Sequence, residues 1–502
     1  TTFTFANHTD RQDQMNAEST AETNEVPLEL QALRAGVDKS ARVPVLYFLT
    51  TAVAWLFVSA VLGFIASMKS HTPEFLGLDC LYFLHYGRVQ PAFINAFVYG
   101  WGIQAGIGVM IWIMARLTRA QVPSSKILLF AGVLWNIGVT LGVSAILWGG
   151  STSVEWLEFP KWVWPLLLLA YVMMSVWVVL LFKARTADTV YISVWYFLGA
   201  CFWFPWIYGT ANLLIHHFSG GAVISAGVDG WFISTLILLF FVPVGLGTVY
   251  YLLPKVLGRP VHSYQLALIG FWMLAALSGW TGMQKYMGGP IPAWMTAVGS
   301  AAAIFMLIPV GVVALNHHKT IKGFHHLVGA SPTIRFAVFG AMAYTLMSVV
   351  FACMSLFSFS QLTQFTYAQG GFNTLALYAF FSMCMFAAIY FILPRISGCE
   401  WPSGRMISTH FWFSTYGLSA LVVCLFMAGF SQGFSVQNPE NWANSFWGPV
   451  VKSGAWLKGT TVAWGFLLIS NLVFFVHVIL MALRLGRKTT DGPTLFPAGE
   501  SH

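Results

Sequence analysis

Apolar runs of membrane-crossing length recur from one end of the chain to the other, separated by short polar breaks. A transmembrane helix needs about 20 predominantly apolar residues. Twelve runs meet that length, at roughly 44–68, 90–116, 125–148, 161–183, 190–215, 230–253, 262–283, 292–315, 334–360, 369–393, 407–430 and 459–483. The breaks carry charge and proline, as in Arg119–Pro123, Lys255–Pro260 and Arg395–Arg405, where helices are expected to stop. The longest break, 431–458, is rich in Gly, Asn and Trp and reads as an external loop rather than a domain. The pattern predicts an all-α membrane protein of about twelve transmembrane helices. A polar tail covers 1–43, the membrane domain 44–485 and a second tail 486–502.

Composition supports that reading. Charged residues make up 8% of the 502, against roughly 25% in a soluble domain. Of the 25 Lys and Arg, 19 fall in the two tails and the even-numbered breaks and 6 in the odd-numbered ones. Basic residues collect on the cytoplasmic face, so both termini are expected in the cytoplasm. The net charge of +8 is scattered singly and forms no basic stripe, so no nucleic acid is expected as a partner. Residues 1–43 carry Asp10, Asp13, Glu18, Glu22, Glu25 and Glu29 and lack the basic-then-apolar order of a secretory signal. They read as a cytoplasmic tail, either disordered or with a short helix near Pro27–Leu33. The six cysteines form no C-x-x-C or C-x-x-C-H pattern, so no covalent c-type haem is expected on this chain.

Titratable groups are sparse in the predicted spans. Each Asp and Glu can be placed in a tail, a break or a span end, Asp229 at the start of span 6 and Glu155 and Glu158 in a loop. Proton-coupled carriers bury such groups, so a carboxylate relay is not expected. The doublets His317–His318 and His325–His326 read as cationic residues of one cytoplasmic loop, a surface metal site being the alternative. A bis-histidine haem needs imidazoles from facing helices, and only His410 and His477 offer even a loose pair.

Tyr86-Gly-Arg-Val-Gln-Pro-Ala-Phe-Ile-Asn-Ala96 resembles F-G-R-L-R-P-L-H-T-N-A, the span 2 start of subunit I of the haem–copper oxidases, closest to the cbb type. Tyr250-Tyr-Leu-Leu-Pro-Lys255, Arg259-Pro-Val-His-Ser-Tyr-Gln-Leu266 and Ile269-Gly-Phe-Trp272 resemble its passage from helix 6 to helix 7. Gly289-Pro-Ile-Pro-Ala-Trp294, Leu393-Pro-Arg-Ile-Ser-Gly398 and Ser408-Thr-His-Phe-Trp412 follow in the family's order and spacing.

The family uses six histidines. One in helix 2 and one in helix 10 hold a low-spin haem, a second in helix 10 holds the active-site haem, and one in helix 6 with a pair in helix 7 hold copper. The flanking motifs carry these onto Phe93 in helix 2, Phe372 and Thr374 in helix 10, Ser234 in helix 6, and Gln284 and Lys285 in helix 7. The family's second span 2 arginine, a propionate partner, is Gln90 here. No histidine lies anywhere in spans 2, 6 or 10. Phe cannot ligate, and Ser and Thr hydroxyls are poor ligands for haem iron or copper. The resemblance therefore implies a degenerate subunit I with no haem and no metal of its own, in the bacterial inner (cytoplasmic) membrane. Its expected partners are lipids and either membrane-anchored c-type cytochrome subunits or an active oxidase or reductase, with haem in those subunits. The alternatives are a channel, carrier or quinone- or lipid-binding protein that uses the emptied haem cavity, and an active oxidase or nitric oxide reductase with relocated ligands.

Overall fold

The computed structural model describes residues 28–487 apart from 78, 188, 219, 439 and 441–446. Twelve helices in it are long and apolar enough to span a bilayer. They are α1 (Leu28–Lys69), α2 (Tyr86–Thr118), α3 (Ser125–Leu147), α4 (Val163–Lys183), α5 (Ile192–His216) and α6 (Gly221–Leu257). The second half comprises α7 (Tyr264–Tyr286), α8 (Ala293–Ile321), α9 (Pro332–Met354), α10 (Tyr367–Ser397), α11 (Gly404–Gln437) and α12 (Trp447–Ala482).

Three of these helices form the centre. The most apolar windows of α2, α6 and α10 are wholly buried, whereas the other nine helices bury 33–50% of theirs. A helix that is apolar all round is stable only where every face is covered by apolar surroundings, and here the nine outer helices supply that cover. Each central helix also contains a π-helical stretch: Ala96–Ile103 in α2, Ile237–Phe241 in α6 and Leu375–Ser382 in α10. Such wide turns are rare and concentrate at functional sites. The Trp101 indole N–H donates to Ser382 Oγ at 2.8 Å, and that hydroxyl donates to the carbonyl of Leu377 at 2.9 Å. This links the π-stretches of α2 and α10. Close approach depends on glycine: a Cβ on Gly102 would lie 2.7 Å from the Phe241 ring, and one on Gly245 would lie 2.5 Å from the Phe380 ring.

Element boundaries differ from the sequence reading in three places. The helix of span 1 begins at Leu28, so residues 28–43 form its first turns rather than part of a separate tail. Asp38 is held there by Arg116 of α2 at 2.9 Å, which fixes these turns against the core. The expected loop 431–458 is mostly helical among its described residues, because α11 continues to Gln437 and α12 starts at Trp447. Helix α6 starts at Gly221, which places Asp229 two turns inside it and buried, not at its start. The expectations for 1–27 and 488–502 lie outside the described residues.

Candidate functional site

Two cavities open toward the helix ends opposite the termini. The larger, about 820 Å³, lies between α1, α2, α10, α11 and α12. It reaches from Tyr86 to Phe97 along α2 and from Tyr367 to Tyr378 along α10. Eleven residues of helix correspond to about 16 Å of depth, and both helices give the same value. The smaller, about 60 Å³, lies between α6, α7, α9 and α10.

The six positions that the resemblance singles out divide between these cavities. Phe93 and Thr374, from α2 and α10, line the larger. Ser234, Gln284, Lys285 and Phe372, from α6, α7 and α10, line the smaller, and Lys285 faces both. Phe372 and Thr374 are two residues apart, about 200° around a helix, so one helix serves both cavities.

Each of these side chains is engaged locally. Phe93 sits edge-on to Trp464 at 5.0 Å and to Phe97 at 6.4 Å. Phe97 in turn meets Tyr378, whose hydroxyl donates to Asn471 Oδ1 at 2.6 Å. Thr374 Oγ1 donates to the carbonyl of Gly370 at 2.9 Å. Phe372 stacks on Phe351 at 5.4 Å, and Ser234 and Thr281 share a 2.8 Å hydroxyl contact. Gln284 Oε1 accepts from the Gly282 N–H at 2.6 Å. Among the described residues, no imidazole and no thiol lines either cavity.

The sequence reading missed the polar rim of the larger cavity. Lys285 Nζ donates to Glu155 Oε2 at 2.9 Å, and Asn95 Nδ2 donates to Glu158 Oε2 at 2.6 Å. Burial pushes the Glu158 carboxyl up to about 8, the Asn95 hydrogen bond offsetting only part of this. Glu155 and Glu158 were expected only as loop residues; the segment Ser151–Trp162 folds inward and sets both on the rim. Acids three apart in a short loop between spans are the only sequence signal for it. Asp229 lies close by, its carboxylate accepting from the Tyr286 hydroxyl at 3.4 Å.

His410 and His477 come together, but away from both cavities. His410 Nδ1 is 2.9 Å from the Tyr390 hydroxyl, and its ring stacks on Phe474 at 4.4 Å. His477 faces Trp401 at 4.6 Å. The doublets also separate: His317 turns inward against Tyr250, while His318 faces His325. Among the described residues, no group of three or more His, Cys, Asp and Glu is placed to hold a metal ion.

Residues 43–452 match the family described as Cytochrome C and Quinol oxidase polypeptide I. The chain belongs to that family. Its relatives in this oxidase family include the Cbb3-type cytochrome c oxidase subunit CcoN1 of Stutzerimonas stutzeri, 24% identical over 88% of this chain and 93% of that one. Another is cytochrome c oxidase subunit 1 of Rhodobacter capsulatus, 26% identical over 70% and 68%. A homologue of subunit 1 from Agrobacterium tumefaciens (strain T37) is 24% identical over 77% and 73%. A solved haem–copper terminal oxidase dimer superposes with a TM-score of 0.66 at 13% identity, over 91% of this chain and 87% of that one. The twelve-helix fold is therefore that of oxidase subunit I, in a multi-pass membrane protein.

Proposed function

We propose that this chain is a cofactor-free scaffold of the oxidase subunit I fold, part of a respiratory electron-transfer complex in the bacterial inner membrane. One observation carries the reading. The six carried-over positions group into two cavities as a low-spin haem site and a haem–copper site require, yet none of the six side chains is an imidazole. The donors present do not fit the groups. Hydroxyls and amides are weak ligands for haem iron and copper, and Lys285 is committed to Glu155. No redox step is therefore assigned to this chain. The relatives named above are oxidase subunits, which supports docking to cytochrome-bearing subunits as the retained role.

A second reading rests on the larger cavity itself. A space of about 820 Å³ with a polar rim and an aromatic floor suits a channel, carrier or quinone- or lipid-binding protein. An active oxidase or nitric oxide reductase with relocated ligands is disfavoured, because His410 and His477 line neither cavity.

The test is haem, iron and copper per polypeptide, measured by pyridine haemochrome and elemental analysis on the isolated chain and on its native complex. The scaffold reading expects none in the isolated chain and c-type haem in co-purifying subunits. Stoichiometric b-type haem in the isolated chain would sink it.

A further inference from the structure

A third cavity, of about 260 Å³, lies at the opposite end of the molecule, on the side of the termini. Four basic side chains from three helices converge on it: Arg34 of α1, Arg116 and Arg119 at the end of α2, and Lys255 in the last turn of α6. The segment between α4 and α5 closes it with Thr189 and Tyr191, and Leu33, Val37 and Leu117 give it an apolar flank.

Two of these cations lack a counter-charge among the described residues. Arg116 is positioned by Asp38 at 2.9 Å and by the Trp112 ring at 5.3 Å. Among the described residues, Arg34 and Arg119 have no carboxylate within ion-pair distance. Arg34 also lies within electrostatic reach of both Arg116 and Arg119. Asp188, beside the cavity wall in sequence, lies outside the described residues. Lys255 is engaged with a partner of its own, so Arg34 and Arg119 are the two cations for which the described residues supply no carboxylate. Like charges held together around a partly desolvated space are unfavourable unless an anion joins them.

We propose that this cavity binds a phosphate-bearing anion, the head group of an anionic phospholipid of the cytoplasmic leaflet. Guanidinium groups match phosphate oxygens in a fork geometry. Basic pockets between transmembrane helices on the cytoplasmic side are suited to anionic head groups. The Leu33, Val37 and Leu117 flank meets the glycerol and the first methylenes, which a soluble phosphate would leave uncovered. The site is separate from the two cavities above and does not depend on whether they hold a cofactor.

The test uses the full chain in detergent micelles doped with phosphatidylglycerol, with bound lipid counted by native mass spectrometry. The variant Arg34→Gln/Arg119→Gln leaves the Asp38–Arg116 pair intact. Arg185→Gln, an exposed cation on the same side outside the cavity, is the control. Wild type and the control should retain phosphatidylglycerol, and the double variant should bind about 30-fold more weakly. Equal retention by all three would overturn the proposal. Saturable binding of inorganic phosphate without retained lipid would overturn the lipid assignment and leave a soluble phosphate as the occupant. Binding of phosphatidylglycerol only after removal of residues 1–26 would overturn it as well, because the acidic tail would then be the occupant.

Discussion

Phe93→His combined with Thr374→His is expected to give this chain a low-spin b-type haem. The two positions face one cavity from α2 and α10, so the imidazoles would enter it from two different helices. Without haem the substitutions are costly. The edge-on contact of Phe93 with Trp464 is worth about 1 kcal/mol beyond its buried area. Each half-buried imidazole left without a partner costs about 1–3 kcal/mol. The apo variant should therefore lose about 3–7 kcal/mol in total. Haem at a thousand times its Kd would return about 4 kcal/mol, so thermal stability should recover substantially on loading. The assay is titration with haemin, followed by the sharp visible bands of a bis-imidazole haem after reduction, alongside the apparent melting temperature with and without haem. Each single variant should bind more weakly and without the low-spin bands. Adding Gln90→Arg, at the position of the family's propionate partner, should tighten binding. A double variant that folds, behaves as a monodisperse species and still shows no saturable low-spin spectrum would refute the assignment of these positions.

Other expectations follow from the same geometry. Glu155→Gln should cost about 1 kcal/mol, because Glu155 is half exposed while Lys285 is largely buried, and a double-mutant cycle with Lys285→Met should recover a coupling of similar size. The folded Glu158 carboxyl titrates at about 8 against an ordinary 4.5, so the folded state holds this proton more tightly than the unfolded chain. That contribution is full below about pH 4.5 and is lost as pH rises through about 8, by at most about 5 kcal/mol. Melting of wild type from about pH 5 to 9 should therefore decline more steeply than that of Glu158→Gln; parallel curves would contradict the burial argument. Gly433→Ala drives a Cβ into the Leu362 carbonyl oxygen, so it should cost about 3 kcal/mol or lower the folded yield, whereas Gly311→Ala, with open space around it, should not.

The helix count was legible because the bilayer imposes a length on each apolar run. The common side of the termini followed from the even number of spans. The division of Phe372 and Thr374 between two cavities was also within reach of the sequence, since residues two apart on a helix point to opposite sides. Other features were not. The π-stretches in α2, α6 and α10 leave no periodic signature, because these helices are apolar on every face and a change of phase alters no visible pattern. Asp229 looked like a boundary residue because the apolar run of span 6 is taken from 230; the helix nonetheless begins eight residues before it. The inward turn sets Glu155 on a lysine 130 positions away and Glu158 on an asparagine 63 positions away, and no local rule reports that.

The two cavities at the helix ends opposite the termini impose different demands on any account of function. At about 24 cal/mol per Å³, a dry void of 60 Å³ costs about 1–2 kcal/mol, which a packed fold tolerates. A dry void of 820 Å³ would cost about 20 kcal/mol, more than the whole stability of a typical domain. Something must occupy it. Water can occupy the rim, where Glu155, Glu158, Lys285 and Gln90 offer partners. Water is less well held at the floor, where Tyr378 and Thr374 spend their hydroxyls on Asn471 and Gly370 and Phe93, Phe97, Leu377 and Trp464 line the wall beside them. Apolar surface of this kind favours apolar guests over water. The floor is therefore the discriminating region: a scaffold needs only a passive lipid chain there, whereas a carrier or quinone-binding protein needs a guest that exchanges. Measuring how fast a spin-labelled acyl chain or an added quinone leaves that floor separates the two readings without any assumption about the missing histidines.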